Sequence, residues 1–343
     1  MKRFRIKMID VFVMLVGMFL LVGCSQNTKE TSVDFFAMDT YMSLSATGAS
    51  SEETISQSRA FVEELEAMIS RTNETSEIYE LNHSNGEIVT VSDTTYEIIR
   101  IAVECAEQTD GVFDPTVCAI TDLWGIGTEN ARVPSEEEIA EALETVSYKN
   151  IVLLEENGVQ LLEGAQIDLG AIGKGYAADE IRAIYEDNAI EKGIIALGGN
   201  VYMVGEKEQN TSWSVGIVDP DADGEYSIGV QVVDKSVVTT GAYERYFEQD
   251  GVIYHHIFNT QTGYPTEQDV KSVTVVSENS TLADIYATAL FAMGYEEAIS
   301  FVNHQESLEV IIIRDDNQVY ASAGIRDSVT LDEKYVLDED CLE

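Results

Sequence analysis

The sequence predicts an α+β fold, on three observations: long amphipathic helical segments fill the first half, short strands with hairpin spacing dominate from Gly193 onward, and no strand-helix-strand alternation joins them. About 320 residues follow the N-terminal apolar segment without a Pro-, Gly- or Ser-rich linker. A single compact domain with a mostly antiparallel sheet and flanking helices is therefore expected.

The first element lies outside that domain. Lys2, Arg3, Arg5 and Lys7 precede an apolar run from Val11 to Gly23, too short to span a bilayer in the usual way and typical of a signal peptide. It ends in Leu21-Val22-Gly23-Cys24, which resembles the bacterial lipoprotein box, with Cys24 lipidated as the new N-terminus. A plain signal peptide and a single anchor helix are the alternatives. On this reading residues 1–23 are the signal peptide, 24–33 the lipidated cysteine and a short polar tether, 34–330 the domain and 331–343 an acidic tail. The mature chain would sit outside the cytoplasm, held to the bacterial cell membrane by lipid.

Within the domain a strand is predicted over 41–46, then a helix over 52–70 with Ile55, Phe61, Val62, Leu65, Met68 and Ile69 on one apolar face. A second helix covers 94–108. Pro134-Ser-Glu-Glu-Glu opens a third with the acidic residues that a helix N-terminus favours. Segments 151–154 and 159–162 read as a hairpin around Asn157-Gly158. Gln166 to Leu169 reads as the end of a short strand, and a helix starts at the glycines that follow, with Ala177, Ile181, Ile184 and Tyr185 recurring at helical spacing. Strands are expected over 194–197, 201–204, 213–218, 228–233, 237–240, 252–258 and 271–276. Helices over 282–293 and 295–304 precede a last strand pair over 308–313 and 318–321.

The chain has 62 acidic and 20 basic side chains and a formal net charge of −42. Such a surface repels phosphate backbones and excludes nucleic acid as a general partner. It also means that an anionic cofactor must be held by local donors or a metal ion. Beyond Cys24 the cysteines are Cys105, Cys118 and Cys341, with neither a disulfide framework nor metal-ligand spacing.

The densest chemistry lies in Asp168-Leu-Gly-Ala-Ile-Gly-Lys-Gly-Tyr-Ala-Ala-Asp179. Gly170, Gly173 and Gly175 let the backbone approach a ligand, the helix N-terminus offers amides to an anion, and Lys174 offers a countercharge. The spacing matches neither the P-loop nor the dinucleotide fingerprint, and a tight turn with a solvated lysine is equally compatible with it. Asp284 and Thr288 stand i, i+4 on one helix face, a spacing that suits Mg²⁺, although Thr281 with Asp284 also resembles a capping box. His255 and His256 are adjacent on a predicted strand, so only one enters a given site; that one could be a general base, or either could be a hydrogen-bonded structural histidine. Gly111-Val-Phe-Asp-Pro-Thr and Leu197-Gly-Gly-Asn-Val add two tight loops.

Taken in order, these pieces resemble the ApbE family of FAD:protein FMN transferases. Met38-Asp-Thr is similar to the family's opening Met-Gly-Thr, Gly111-Val-Phe-Asp-Pro-Thr-Val to its Gly-x-x-Asp-Pro-Thr loop, and Asp168 to Asp179 to its glycine signature. Leu197-Gly-Gly-Asn, Thr239-Thr-Gly, His256-Ile-Phe-Asn-Thr-Gln-Thr-Gly-Tyr-Pro and the helix from Ala283-Asp284 to Thr288 follow in family order. The resemblance implies a single compact ApbE-like, T-fold-related domain. It implies a secreted Mg²⁺-dependent enzyme that cleaves FAD, releases AMP and attaches FMN through a phosphoester bond to a threonine of an acceptor flavoprotein. The acceptor would be an extracellular flavoprotein or a subunit of a membrane redox complex such as a sodium-translocating NADH:quinone oxidoreductase. Met38, Val112, Phe113, Asp114, Asp168, Lys174 and Phe258 would contact FAD. The Ala171 carbonyl, Asp284, the Ala287 backbone and Thr288 would hold Mg²⁺, with Asp284 serving catalysis as well, and His256 would be the base.

Two departures from the family pattern stand out. Asp39 occupies a position where relatives carry glycine. In Ser70-Arg-Thr-Asn-Glu-Thr-Ser-Glu, Thr72 or Asn73 stands where relatives often place an aromatic residue that stacks on the flavin. A missing stacking partner weakens retention of intact FAD and favours turnover, including that of an extracytoplasmic FAD pyrophosphatase in which water replaces threonine; a non-catalytic flavin-binding lipoprotein is a separate alternative.

Overall fold

The strand Glu309–Arg314 shows why the sheet lies in the middle of the molecule: Val310 and Ile312 join the core on one of its faces, Ile311 and Ile313 the core on the other. The computed structural model describes residues 29–222, 224–267, 269–305 and 308–338. Among them a 9-stranded sheet runs in chain order: β1 (Lys29–Ala37), β2 (Thr40–Gly48), β6 (Lys192–Leu197), β7 (Asn200–Val204), β10 (Lys235–Gly241), β13 (Val270–Ser277), β14 (Glu309–Arg314), β15 (Gln318–Ala321) and β17 (Val336–Leu337). Every pairing is antiparallel except that of β15 with β17.

One face carries the helices α1 (Ser51–Ile69), α2 (Glu77–Asn82), α3 (Asp93–Gln108), α6 (Gly173–Asp187), α7 (Ser280–Met293) and α8 (Tyr295–Val302), whose apolar residues form the larger core with it. The other face is covered by a small sheet of β16 (Val329–Leu331), β9 (Tyr226–Val232) and β8 (Trp213–Val218), through Val215, Ile217, Ile228 and Val230. A satellite sheet of β3 (Val89–Thr90), β5 (Gly158–Leu161) and β4 (Ile151–Leu153) lies in the helical half. The ribbon β11 (Tyr246–Gln249) with β12 (Val252–His255) and the helices α4 (Cys118–Trp124) and α5 (Glu136–Leu143) flank a third, smaller core of Ile120, Trp124, Ile139 and Phe258. The predicted α+β class and antiparallel sheet are both observed.

Several boundaries differ from expectation. The stretch read as tether ends in β1, because Val33, Phe35 and Ala37 alternate with exposed Asp34 and Phe36, and Lys29 pairs with Glu52. Charged, polar edge strands of this kind guard a sheet and look like linkers in sequence. The tail read from residue 331 packs on the domain: Tyr335 is 4% exposed, its hydroxyl donates to Asp219 at 2.9 Å, and Lys334 bridges the same carboxylate. Residues 166–169 form no strand. Asn82 bonds both the amide and the carbonyl of Ile167, and the Asp168 amide donates to Pro115, so loops and a side chain replace the ladder. The strand expected over 252–258 stops at His255, and the helix expected over 295–304 stops at Val302. Cys24, the signal segment and residues 339–343 lie outside the described residues.

The turn between β1 and β2 explains the first departure from the family pattern. Met38 and Asp39 are a two-residue connection with φ of +48° and +57°, the primed geometry that fits a twisted hairpin and that glycine adopts most easily. Aspartate tolerates the left-handed region better than most residues, so the turn survives the exchange.

Candidate functional site

Helix α7 is apolar all around: Ala283, Ile285, Tyr286, Ala287, Ala289, Leu290 and Phe291 are all buried. Asp284, in the middle of that run and 5% exposed, is a carboxylate where burial is costly unless a partner meets it. The Gly175 amide donates to its Oδ2 at 2.9 Å, and the Lys174 ammonium lies 4.0 Å from the same oxygen. This contact requires glycine. A Cβ on residue 175 would stand 2.5 Å from the Ser280 carbonyl and 2.8 Å from the Asp284 Cβ.

That hydrogen bond rearranges the first turn of α6. In a regular helix the Gly175 amide would donate to the Ala171 carbonyl. Here Asp284 takes it, and the Ala171 carbonyl accepts from no described residue. Thr288, one turn beyond Asp284 on α7, likewise has a hydroxyl that bonds no described residue, and Ala287 between them is buried and can offer only its carbonyl. The expectation of several amides free for an anion is corrected by the same geometry. The Gly173 amide donates to Leu169, Gly175 to Asp284 and Tyr176 to Ile172, which leaves the Lys174 amide. The helix start is an anion site already filled by a carboxylate, with two oxygens beside it, the Ala171 carbonyl and the Thr288 hydroxyl, that bond no described residue.

Loops close around this point. Asp168 accepts from the Gly170 amide at 2.8 Å and from Arg71 Nε at 3.0 Å, so both its oxygens shape the turn. Arg71 also holds Asp122 at 2.6 Å, which brings the 70–73 turn, with exposed Thr72, against the glycines. Thr72 is therefore close to the site, but its short side chain offers no ring. Asp114 is 6% exposed and fully used: Oδ1 accepts from the Thr116 amide and hydroxyl, Oδ2 from the Tyr148 amide. With Phe113 buried in the core, the expected 112–114 contact is left to backbone groups and to the partly buried Val112. The Phe258 ring is likewise taken up, 6.0 Å from Trp124 in the small core. Met38 donates its amide to Glu66 at 2.8 Å, and the neighbouring Thr40 packs on the Gly198 of the Leu197-Gly-Gly-Asn turn. Gly199 of that turn approaches Glu244.

Two ionisable groups complete the cleft. Glu244, open to solvent on one side, has its carboxyl pushed up by burial first and the Asp284 charge second, against the pull of Lys174 and Arg245. His256 is pushed down to about 4, by burial first and then by the charges of Arg245 and Lys174. Its Nδ1 lies 3.2 Å from the Arg245 carbonyl, which can only accept, so Nδ1 carries the proton and Nε2 keeps a lone pair. His255 points elsewhere: its Nε2 meets the Thr266 carbonyl at 2.9 Å, its ring stands edge-on to Phe291, and it is 8% exposed. On the His255 side opens a cleft of about 1100 Å³, lined by Tyr246, Tyr254 and Tyr264 but by none of Lys174, Asp284 or His256, so volume alone does not mark the chemistry here.

Sequence reasoning missed Arg71, Glu244 and Asp179. The first two have no motif of their own and reach the site only through chain-distant contacts. Asp179 was within the glycine segment, but its partners are about a hundred residues away.

The profile of the ApbE family matches residues 38–312. The chain is 37% identical over 295 residues to a FAD:protein FMN transferase of Treponema pallidum, covering 81% of this chain and 82% of that protein. It is 34% identical over 275 residues to one of Klebsiella pneumoniae, covering 78% and 85%. Among solved structures, an ApbE protein of Thermotoga maritima superposes with a TM-score of 0.81 at 34% identity, over 86% of this chain and 98% of that one.

Proposed function

The chain belongs to the ApbE family, and from that membership we propose that it is an FAD:protein FMN transferase dependent on Mg²⁺. The observation that carries the reading is the convergence of Asp284 with two oxygens left unbonded, those of Ala171 and Thr288, beside Lys174 and opposite a histidine with a free Nε2. This donor set is all oxygen, as Mg²⁺ prefers. Asp284, Thr288 and the carbonyls of Ala171 and Ala287 would hold the ion, which when bound supplies charge neutralisation on the pyrophosphate oxygens. Lys174 would add a second cation through Nζ and its free amide. Asp168, fixed by Arg71, keeps the turn open for the flavin nucleotide. His256 Nε2 takes the proton of the acceptor threonine hydroxyl as its oxygen bonds the FMN phosphorus and the bond from that phosphorus to the bridging oxygen breaks. The products are the threonine phosphoester of FMN and AMP. Such chemistry is mostly positioning and charge, which suits a site without a covalent nucleophile.

The deciding experiment incubates the full chain with FAD, Mg²⁺ and the flavin-bearing domain of a sodium-translocating NADH:quinone oxidoreductase subunit, then measures acceptor mass. The expected result is a gain of one FMN with one AMP released per acceptor. AMP release with no mass gain would replace this reading with FAD hydrolysis, which exposed, non-aromatic Thr72 favours. Neither product would leave a flavin-binding protein.

We further propose that lipid on Cys24 holds the enzyme outside the cytoplasm, as its lipoprotein-like box suggests. Cys24→Ala should shift the protein from the membrane fraction to the soluble fraction without loss of transferase activity, and an unchanged membrane fraction would refute the anchor.

A further inference from the structure

Helices α6 and α7 are tied to each other by a reciprocal pair of carboxylates. Asp284 of α7 accepts from the Gly175 amide in the first turn of α6 at 2.9 Å. In return Asp179 of α6 accepts from the first turn of α7: from the Ser280 amide at 3.0 Å, the Thr281 amide at 2.8 Å and the Thr281 hydroxyl at 2.6 Å. Helix α7 already has its own cap, since Asn279 accepts from the Leu282 amide at 2.8 Å. The amides that Asp179 takes are the ones an ordinary helix leaves to water. Its contacts therefore do more than finish a helix end; they fix where α7 lies along α6.

That placement decides what the Gly175 amide does. It has two acceptors within reach of its first turn, the Ala171 carbonyl four residues back or the Asp284 carboxylate across the interface. Only the second leaves the Ala171 carbonyl unbonded beside Asp284. A small slide or rotation of α7 withdraws the carboxylate, lets the first turn of α6 close on itself, and removes two oxygens from the site together. The glycine at 175 keeps the helices close enough for the exchange, with a Cβ position only 2.8 Å from the Thr281 Cα.

We propose that Asp179 is the positioning residue of the cation site: by anchoring the start of α7 it holds the Gly175 amide on Asp284 and so keeps the Ala171 carbonyl available to the metal. Asp179 touches neither substrate nor ion in this role. The inference rests on the magnesium reading given above and sharpens it, because it assigns the site a support that lies outside the expected ligand set.

The test is a calorimetric titration of Mg²⁺ into the full chain saturated with FAD, which reads binding without turnover. Asp179→Ala is expected to raise the Kd for Mg²⁺ at least about tenfold, the usual effect of removing a group that orients a ligand. Thr281→Val, which removes one of the three contacts and leaves the carboxylate in place, should raise it about threefold while melting as a single transition. A merely structural role predicts a lower melting temperature with Kd unchanged within twofold, and that result in Asp179→Ala overturns the proposal. If Asp179→Ala does not fold, an unchanged Kd in Thr281→Val does the same. A parent chain that takes up no Mg²⁺ is a different result: it removes the magnesium reading itself, and this support with it.

Discussion

Replacing Asp284 with alanine is expected to lower Mg²⁺-dependent FMN transfer by about a thousandfold, equivalent to about 4 kcal/mol of transition-state stabilisation. The size follows from two losses in one substitution. The carboxylate itself disappears from the site, and the Gly175 amide it accepted is released to the Ala171 carbonyl, which then closes the first turn of α6 and ceases to be a ligand. The remaining oxygens, the Thr288 hydroxyl and the Ala287 carbonyl, are both neutral and make a poor magnesium site in a chain whose net charge of −42 already opposes an anionic substrate. Folding should survive, because the buried charge is removed along with its partner requirement and the freed amide has an alternative acceptor. Asp284→Asn separates the two losses: its amide oxygen can still accept from Gly175 but brings no charge to the ion. Transfer rates measured against Mg²⁺ concentration, with melting temperature as the control for folding, should rank the parent above the asparagine variant and that above alanine. An alanine variant within fivefold of the parent would show that the metal, if one acts, is held elsewhere.

The α+β class and most elements were legible because they rest on local periodicity. Central strands such as β14, buried on both faces, read as unbroken apolar runs, and α1 and α3 carry their apolar stripe openly. Misreadings fell where the chain satisfies its backbone non-locally. Ile167 looks like strand but is held by the Asn82 side chain, and the polar edge strand β1 looks like tether because its partner β2 supplies all its ladder bonds. The same division runs through the site. Asp284, Thr288, Lys174 and His256 were visible as spacing and order, whereas the use made of them was not. That Asp114 spends both oxygens on Thr116 and Tyr148, that Asp168 is clamped by Arg71, and that Asp284 rather than a phosphate takes an amide of the glycine turn are pairings between segments far apart in sequence. A glycine at 175 signals only that something approaches closely. What approaches is the start of α7, and that fills an apparent phosphate cradle with a carboxylate, one wall of the proposed cation site.

Substituting His256 with glutamine should lower FMN transfer by about a hundredfold to ten-thousandfold, the range for loss of a positioned general base. Glutamine keeps much of the shape and can still donate to the Arg245 carbonyl, but it cannot take the threonine proton. FAD binding should be retained, since the side chain is a base rather than a cofactor anchor in this arrangement. The pH profile carries a sharper signature. The neutral imidazole is the active form, so activity is lost as pH falls through the histidine's own pKa. Burial, with the positive charges of Arg245 and Lys174 behind it, disfavours the imidazolium and moves that pKa down to about 4. An ordinary histidine near 6.5 would cost the enzyme most of its activity by about pH 5.5. Here the acid limb of the transfer rate should stay flat from pH 7 to about pH 5.5 and fall only below that, provided the acceptor remains folded. The Arg245 carbonyl that accepts from Nδ1 works the other way and limits the fall, while it leaves Nε2 with the lone pair that the threonine proton needs. An acid limb centred near 6.5 in the parent, or a glutamine variant with an unchanged rate, would mean that some other group accepts the proton. Glu244 would then be the first to examine, since it faces Lys174 and Asp284 across the same cleft and its carboxyl is pushed up toward neutrality.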